Sequence, residues 1–254
     1  MNLAVTATFL LLLFGATFVF AKKVNNFGVV DVVWSLAFAP VAAYYALAND
    51  GWLPRRLVAA ALFALWSLRL GTYLWSRVAS HHPAEDPRYA VLRQRWGTGP
   101  KVFLPFFLGQ GVLVWLLTLP LYLLTKHTGP TIAPLEIAGA AIIALALAGE
   151  ALADHQLKRF KAASDKPVCT RGLWRYSRHP NYFFQCLLWI GVATAAFPAP
   201  NGWTSIAAPI AMIYFILKVT GIPLTEELAV ARKGEPYKAY QRTTSPLIPL
   251  PPKD

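Results

Sequence analysis

Apolar runs of about 20 residues recur along this chain, and nothing else in it constrains the fold as strongly. A helix of about 20 apolar residues crosses the hydrocarbon core of a bilayer. Inside that core every backbone N–H and C=O must be satisfied within the segment, so each run reads as a helix. Seven spans are expected, near residues 3–21, 27–48, 54–75, 102–125, 132–153, 181–198 and 203–222. The expected fold class is all-α: a polytopic membrane protein, a seven-transmembrane helix bundle forming one membrane-embedded domain over residues 1–254. Only 14% of the residues are charged, where a soluble domain carries about 25%.

Charge placement orients the bundle. Lys22 and Lys23, the five basic residues from Arg77 to Lys101, the seven from Lys158 to Arg178 and the five from Arg232 to Lys253 follow the odd-numbered spans. Arg55, Arg56 and Lys126 are the basic residues left for the other face, and Arg69 and Lys218 lie within spans. By the positive-inside rule the N-terminus is expected outside and the C-terminus in the cytosol. Topology thus accounts for most of the net charge of +12, and a nucleic-acid partner is not expected. The first run lacks a basic segment before it, and its lysines follow it, so it reads as a retained helix rather than a cleaved signal. Cys169 and Cys186 have no metal-ligand spacing, and neither a disulfide nor a metal site is expected.

The outer connections are short and rich in Gly, Pro and Asn, whereas those after spans three and five run to about 25 residues, a length usually reserved for function. The second of these holds the densest chemistry in the chain. From Gly172 to Tyr182 it carries Trp174, Arg175, Tyr176, Ser177, Arg178, His179 and Asn181, just before an apolar run. Polar side chains at the mouth of a membrane helix are costly to desolvate and usually mark a site. Arginine forks grip phosphate, and aromatic faces cover a ring.

Depth along the spans gathers further polar groups at the same end. Asp31 and Arg69 both lie roughly 6–9 Å in from the cytosolic side at 1.5 Å per residue, and a mutual or ligand-bridged pairing is expected. Glu150 and Asp154, four apart, share one face of span five, and Asn181 and Gln185 repeat that spacing in span six. Above them the spans are almost wholly Leu, Ala, Val, Ile and Phe. The pattern implies a charged mouth for a polar cofactor and an apolar cavity for a lipid-like substrate. No Ser-His-acid set, HExxH, P-loop or G-x-G-x-x-G is present, so a dinucleotide would be held by side chains of the membrane domain.

In order along the chain, Asp31, Trp34 and Ser35; Arg69, Tyr73 and Arg77; Glu85, Asp86, Arg88 and Tyr89; Glu150, Asp154 and Lys158; the Gly172–Tyr182 block; Glu226 and Glu227; and Tyr237 and Tyr240 resemble the motifs of the steroid 5α-reductase family, in its bacterial branch of small polytopic reductases. The resemblance runs from span two to the C-terminus. It implies an oxidoreductase of the C4–C5 double bond of 3-oxo-Δ4 steroids or similar enone lipids, in the bacterial inner membrane with its site open to the cytosol. NADPH is the implied cofactor, preferred to NADH because the mouth has cations to spare for a 2′-phosphate. Arg77, Glu150, Asp154, Lys158, Lys161, Arg171, Trp174, Tyr176, Ser177, Arg178, His179, Asn181, Tyr182, Glu226, Glu227, Tyr237 and Tyr240 are the implied cofactor-binding residues. Asp31, Trp34, Arg69 and Tyr73 are the implied catalytic residues. The animal enzymes polarise the carbonyl with a glutamate and a tyrosine. Here Asp31 or Trp34 stands in the region of that glutamate, and Trp66 and Tyr73 flank Arg69 near the tyrosine's place.

Two other readings compete. Membrane S-adenosylmethionine-dependent methyltransferases of the isoprenylcysteine and phospholipid type carry a similar Arg-His-Pro-x-Tyr with a later Glu-Glu, but leave Asp31, Arg69, Arg77 and Asp154 unexplained. Sterol double-bond reductases carry a version of the same block. A lipid carrier would use only the apolar cavity and leave the basic mouth without a role. A membrane lipid environment and a lipid-like small molecule are the expected partners, with no obligate protein partner.

Overall fold

The computed structural model describes every residue except Thr98, Thr220 and Asp254, together with the side chain of His81. Among the described residues there are twelve α-helices and no strand. Helices α1 to α7 are Asn2–Lys23, Val29–Leu36, Phe38–Ala48, Leu53–His81, Pro87–Trp96, Pro100–Leu117 and Leu119–Lys126. Helices α8 to α12 are Pro134–Ala163, Pro180–Ala196, Ala207–Tyr214, Ile222–Lys233 and Glu235–Thr243. Proline opens α5, α6, α8 and α9. Its fixed φ suits the first helical turn, where its missing N–H costs nothing.

Six helical stretches among the described residues are long and apolar enough to cross a membrane: Asn2–Lys23, Val29–Ala48, Leu53–Ser80, Pro100–Lys126, Pro134–Ala163 and Gly202–Lys233. Large apolar side chains such as Leu12, Val19, Ile137 and Ile210 stand exposed. This is the architecture of a multi-pass membrane protein. The run expected at 181–198 is α9, helical but only 17 residues long.

The chain divides into two compact units. The first holds Met1–Ala133 with Pro198–Gly202. There α1 packs antiparallel to α6, with Phe18 against Phe107 at 5.6 Å and the Trp115 indole donating to the Leu3 carbonyl at 2.9 Å. Phe27 joins the same aromatic cluster, 4.7 Å from Phe103. At the other end of this unit the turns are pinned by a buried cation. Arg55 donates to the carbonyls of His127, Gly129 and Thr131, so these connections do more than reverse the chain.

The second unit holds Pro134–Phe197 and Trp203–Asp254. Its core is the α8–α9 pair, where a Cβ on Gly139 would sit 2.5 Å from the Ala195 amide nitrogen. Small residues let helix backbones approach closely where lipid supplies no hydrophobic drive between helices. Past α11, Tyr237 and Tyr240 of α12 pack with Val168 and Ala229.

Candidate functional site

In the second unit the Gly172–Tyr182 block folds as one turn of 3₁₀ helix, Gly172–Arg175, followed by a short extended link into α9. Gly172 has φ +58° and lies against Gln156, whose Oε1 accepts from the Leu173 amide at 2.9 Å. A side chain at Gly172 would meet both the left-handed backbone penalty and that amide.

The turn sorts its side chains by direction. Trp174 is buried and donates its indole N–H to the Ala153 carbonyl of α8 at 2.9 Å. Ser177, wholly buried, donates to the Leu247 carbonyl at 2.7 Å and accepts from the His179 amide at 3.1 Å. Arg171, Arg175 and Tyr176 face outward, as do Lys158, Arg159 and Lys161 on the last turns of α8. Asn181 and Tyr182 are half-buried on the first turn of α9.

Arg178 is the hub. Its Nε and Nη2 donate to Glu226 at 2.6 and 3.0 Å, and its Nη1 donates to the carbonyls of Gln241 and Thr244. The Glu226 carboxylate also accepts from Gln241 at 3.0 Å and lies 3.1 Å from His179 Nε2. Tyr182 stacks on the His179 ring, with centroids 5.4 Å apart and planes inclined by 12°. Tyr240 donates to the carbonyls of Trp174 and Ser177 from beneath the turn. Burial first, and then its tyrosine neighbour, pushes the Tyr240 phenol above the usual range, so it stays a donor. The C-terminal segment completes the frame, with the Arg178 amide donating to the Ser245 carbonyl at 2.8 Å and the Leu250 amide to the Tyr176 carbonyl at 3.0 Å.

Several residues expected at a ligand therefore make internal contacts instead. Trp174 is a peg in α8 and covers no exposed ring site. Ser177, Arg178 and Tyr240 bind main chain. A fork already gripping a carboxylate and two carbonyls holds the C-terminal segment, and the donors facing outward are those of Arg171, Arg175, Lys158 and Lys161. Glu226 and Glu227 part company as well. Glu226 lies in the hub while Glu227, the next residue on the helix, is exposed. Glu150 and Asp154 are both buried, on the α8 face that carries Ala153.

Asn181 and Tyr182 are placed differently. Asn181 Oδ1 accepts from the Tyr182 amide at 3.0 Å, while its Nδ2 and the Tyr182 hydroxyl have no partner among the described residues. These two groups, like the exposed cations of this unit, are donors that it can offer a ligand.

The first unit holds a second polar cluster. Asp31, on the first turn of α2, accepts from Arg88 at 2.6 Å and from the Tyr89 hydroxyl at 2.5 Å. Arg88 also holds Asp86, the N-cap of α5, through Nε and Nη2 at 3.0 Å each, and Arg77 joins from α4. Burial alone would raise the Asp86 carboxyl, but the hydrogen bonds and charge of Arg88 and the charge of Arg77 outweigh it, and the group is held at about 2. Burial, followed by the charge of Asp31, pushes the Tyr89 phenol well above its usual range. Beside them Glu85 accepts from the Phe27 amide at 2.6 Å and from Arg93 at 3.2 Å.

The expected pairing of Asp31 with Arg69 is replaced by this cluster. The helix bearing Arg69 continues to His81, six residues past the expected end at 75. Ser67 bonds the Ser35 carbonyl at 2.6 Å and Gly71 packs on Leu36, so Arg69 stands level with the end of α2 rather than with Asp31. Arg77, assigned to the cofactor from sequence, is committed to Asp86. Arg88 and Tyr89, which stand in the Glu85–Tyr89 motif but not among the residues expected at the site, are the partners of Asp31. The signal was there: two acids, a proline and an arginine-tyrosine pair amid a long loop.

No curated protein and no solved structure matches the chain. A family model described as "Protein of unknown function (DUF1295)" matches residues 17–244. The chain belongs to that family of proteins of unknown function, DUF1295.

Proposed function

We propose that the chain is an NADPH-dependent membrane reductase of the carbon–carbon double bond of enone lipids, of the 3-oxo-Δ4-steroid 5α-reductase kind. The proposal takes it to cross the bacterial inner membrane seven times, α9 included, with its N-terminus outside and its site open to the cytosol. The observation that carries it is the sorting of the Gly172–Tyr182 turn. Buried groups build a hydrogen-bonded frame in which Arg171 and Arg175 are exposed, as Lys158 and Lys161 are on the last turns of α8.

That donor set suits a phosphorylated dinucleotide. Exposed guanidinium and ammonium groups meet phosphates with charge-assisted hydrogen bonds. An amide nitrogen and a phenol on the first turn of α9 match the carboxamide of a nicotinamide. S-adenosylmethionine has no phosphate and offers these cations a single carboxylate, whereas a phosphorylated dinucleotide offers them several phosphate groups. When bound, NADPH supplies a hydride to the β-carbon of the enone. A proton at the α-carbon completes the saturated ketone. The Arg178–Glu226 pair and Tyr240 keep the turn in the shape that aims these donors.

The enone accepts hydride only if charge developing on its oxygen meets hydrogen-bond donors. Among the residues assigned to that task in the first unit, both oxygens of Asp31 already accept from Arg88 and Tyr89. Its role in this reading is to hold that network, and donation falls to Trp34, Arg69 or Tyr73. Thermal protection of the purified protein tests the cofactor assignment. NADPH is expected to raise the melting temperature with S-adenosylmethionine inert, and the opposite order would overturn the proposal.

A further inference from the structure

The span of the first unit that contains Asp31 is interrupted at Ala37, between α2 and α3, where the backbone keeps helical dihedrals (φ −64°, ψ −24°). A break in a membrane helix frees backbone groups that must find partners. Ser67 of α4 supplies them, donating to the Ser35 carbonyl at 2.6 Å and accepting from the Ala39 amide at 3.1 Å. Around the same break three aromatic rings stand edge to face. Trp34 lies 5.0 Å from Phe38 and 6.3 Å from Trp66, and Phe38 lies 4.9 Å from Trp66.

One polar atom in this cluster stays unanswered. The Trp34 Nε1–H is buried and has no hydrogen-bond partner among the described residues. Trp115 and Trp174 give the same group to main-chain carbonyls at 2.9 Å. A covered donor without an acceptor carries its full desolvation cost, and a phenylalanine would fill the same slot without it. Trp34 also sits one turn along α2 from Asp31, on the same helix face. The Asp31–Arg88–Tyr89 network therefore anchors the segment that carries the unanswered donor.

We propose that the Trp34 indole N–H receives the carbonyl oxygen of a flat, apolar lipid, and that Phe38 and Trp66 wall the ring bearing that carbonyl. The ring of Trp34 is partly exposed while its nitrogen is covered, and under this proposal the indole must turn for the oxygen to reach the donor. An indole N–H donates and does not accept, which selects a carbonyl over a bare hydrocarbon. It also keeps its proton, so Trp34 polarises the carbonyl without transferring a proton to it. The inference rests on the enone-lipid reading for its ligand class and assigns the donor that reading left open among three residues.

Equilibrium binding of androst-4-en-3-one and of androst-4-ene to the full-length protein in detergent, without cofactor, tests it. The two ligands differ only by the carbonyl. The wild type is expected to prefer the ketone about tenfold, as for one hydrogen bond whose loss leaves a buried donor unpaired. Trp34→Phe is expected to abolish the preference while melting no lower than the wild type, and Trp66→Phe to keep it. Trp34→Leu, which likewise carries no donor, serves with the same expectation for the preference if the phenylalanine variant does not fold. A wild type blind to the carbonyl, or a Trp34→Phe variant that still prefers the ketone, overturns the proposal. The reductase reading fails separately. A preference that depends on Trp34, in a protein that never reduces the ketone with NADPH, leaves the donor standing and removes the reductase.

Discussion

Arg178 and Glu226 meet fork to fork, with Nε–Oε1 at 2.6 Å and Nη2–Oε2 at 3.0 Å, across 48 residues of sequence. The pair ties the turn before α9 to α11, and the two remaining bonds of Arg178 draw in the end of α12. Both side chains are largely buried. Removing one partner of such a pair strands the other charge, which costs about 3–5 kcal/mol.

Arg178→Ala is therefore expected to act on folding first. Its melting temperature should fall steeply, and proteolysis of the C-terminal segment should begin near Thr244. Glu226→Gln, which keeps the shape and part of the hydrogen bonding, should fall less. An Arg178→Ala protein that melts with the wild type and has lost only cofactor affinity would return Arg178 to the ligand.

Arg171→Ala is expected to behave in the opposite way. The side chain is exposed and holds no element in place, so the melting temperature should not move. NADPH should bind about tenfold more weakly, as for the loss of one charged hydrogen bond, and wild-type protein should bind NADH more weakly than NADPH. Asn181→Ala should lower turnover in a folded protein. Isothermal titration of both cofactors against the wild type and Arg171→Ala is the check. Equal affinities throughout would remove the phosphate-binding role of the outward cations.

Much of this arrangement was legible in the residues, and its limits have physical causes. The apolar runs located six helical stretches long and apolar enough to cross a membrane, because hydrocarbon thickness sets their length. They ended α4 too early, since Thr72, Ser76, Arg77 and Ser80 are polar but do nothing to stop a helix, which continues until His82 and Pro83. Asp31 was visible as a costly charge, but its partners lie 57 and 58 residues away on a loop helix whose docking no local spacing records. The Gly172–Tyr182 block was visible as chemistry. Which of its residues face inward depends on the positive φ of Gly172 and on Gln156, and the bare order of residue types does not carry that.

Acid sensitivity follows from Asp86. Its carboxyl is held at about 2 against an ordinary 3.8, so the folded state favours the ionised form more than the unfolded state does. That contribution is fully present above the ordinary value and is lost as the pH falls from about 4 towards 2. It amounts to at most about 2 kcal/mol. Wild type should lose more stability than Asp86→Asn between pH 5 and pH 2.5 in chemical-denaturation curves. Parallel curves for the two proteins would show that the Arg77–Asp86–Arg88 contacts contribute nothing in this window.

Hydride transfer itself is the most direct test of the account. Purified protein is incubated with NADPH carrying deuterium at the transferable position and with testosterone, and the product is read by mass spectrometry and NMR. The account requires a saturated 3-ketosteroid with the label at C5, in a reaction that wild type performs and Asn181→Ala performs slowly. Recovery of unchanged enone from several 3-oxo-Δ4 steroids, or methyl transfer from S-adenosylmethionine to a lipid by the same preparation, would contradict it.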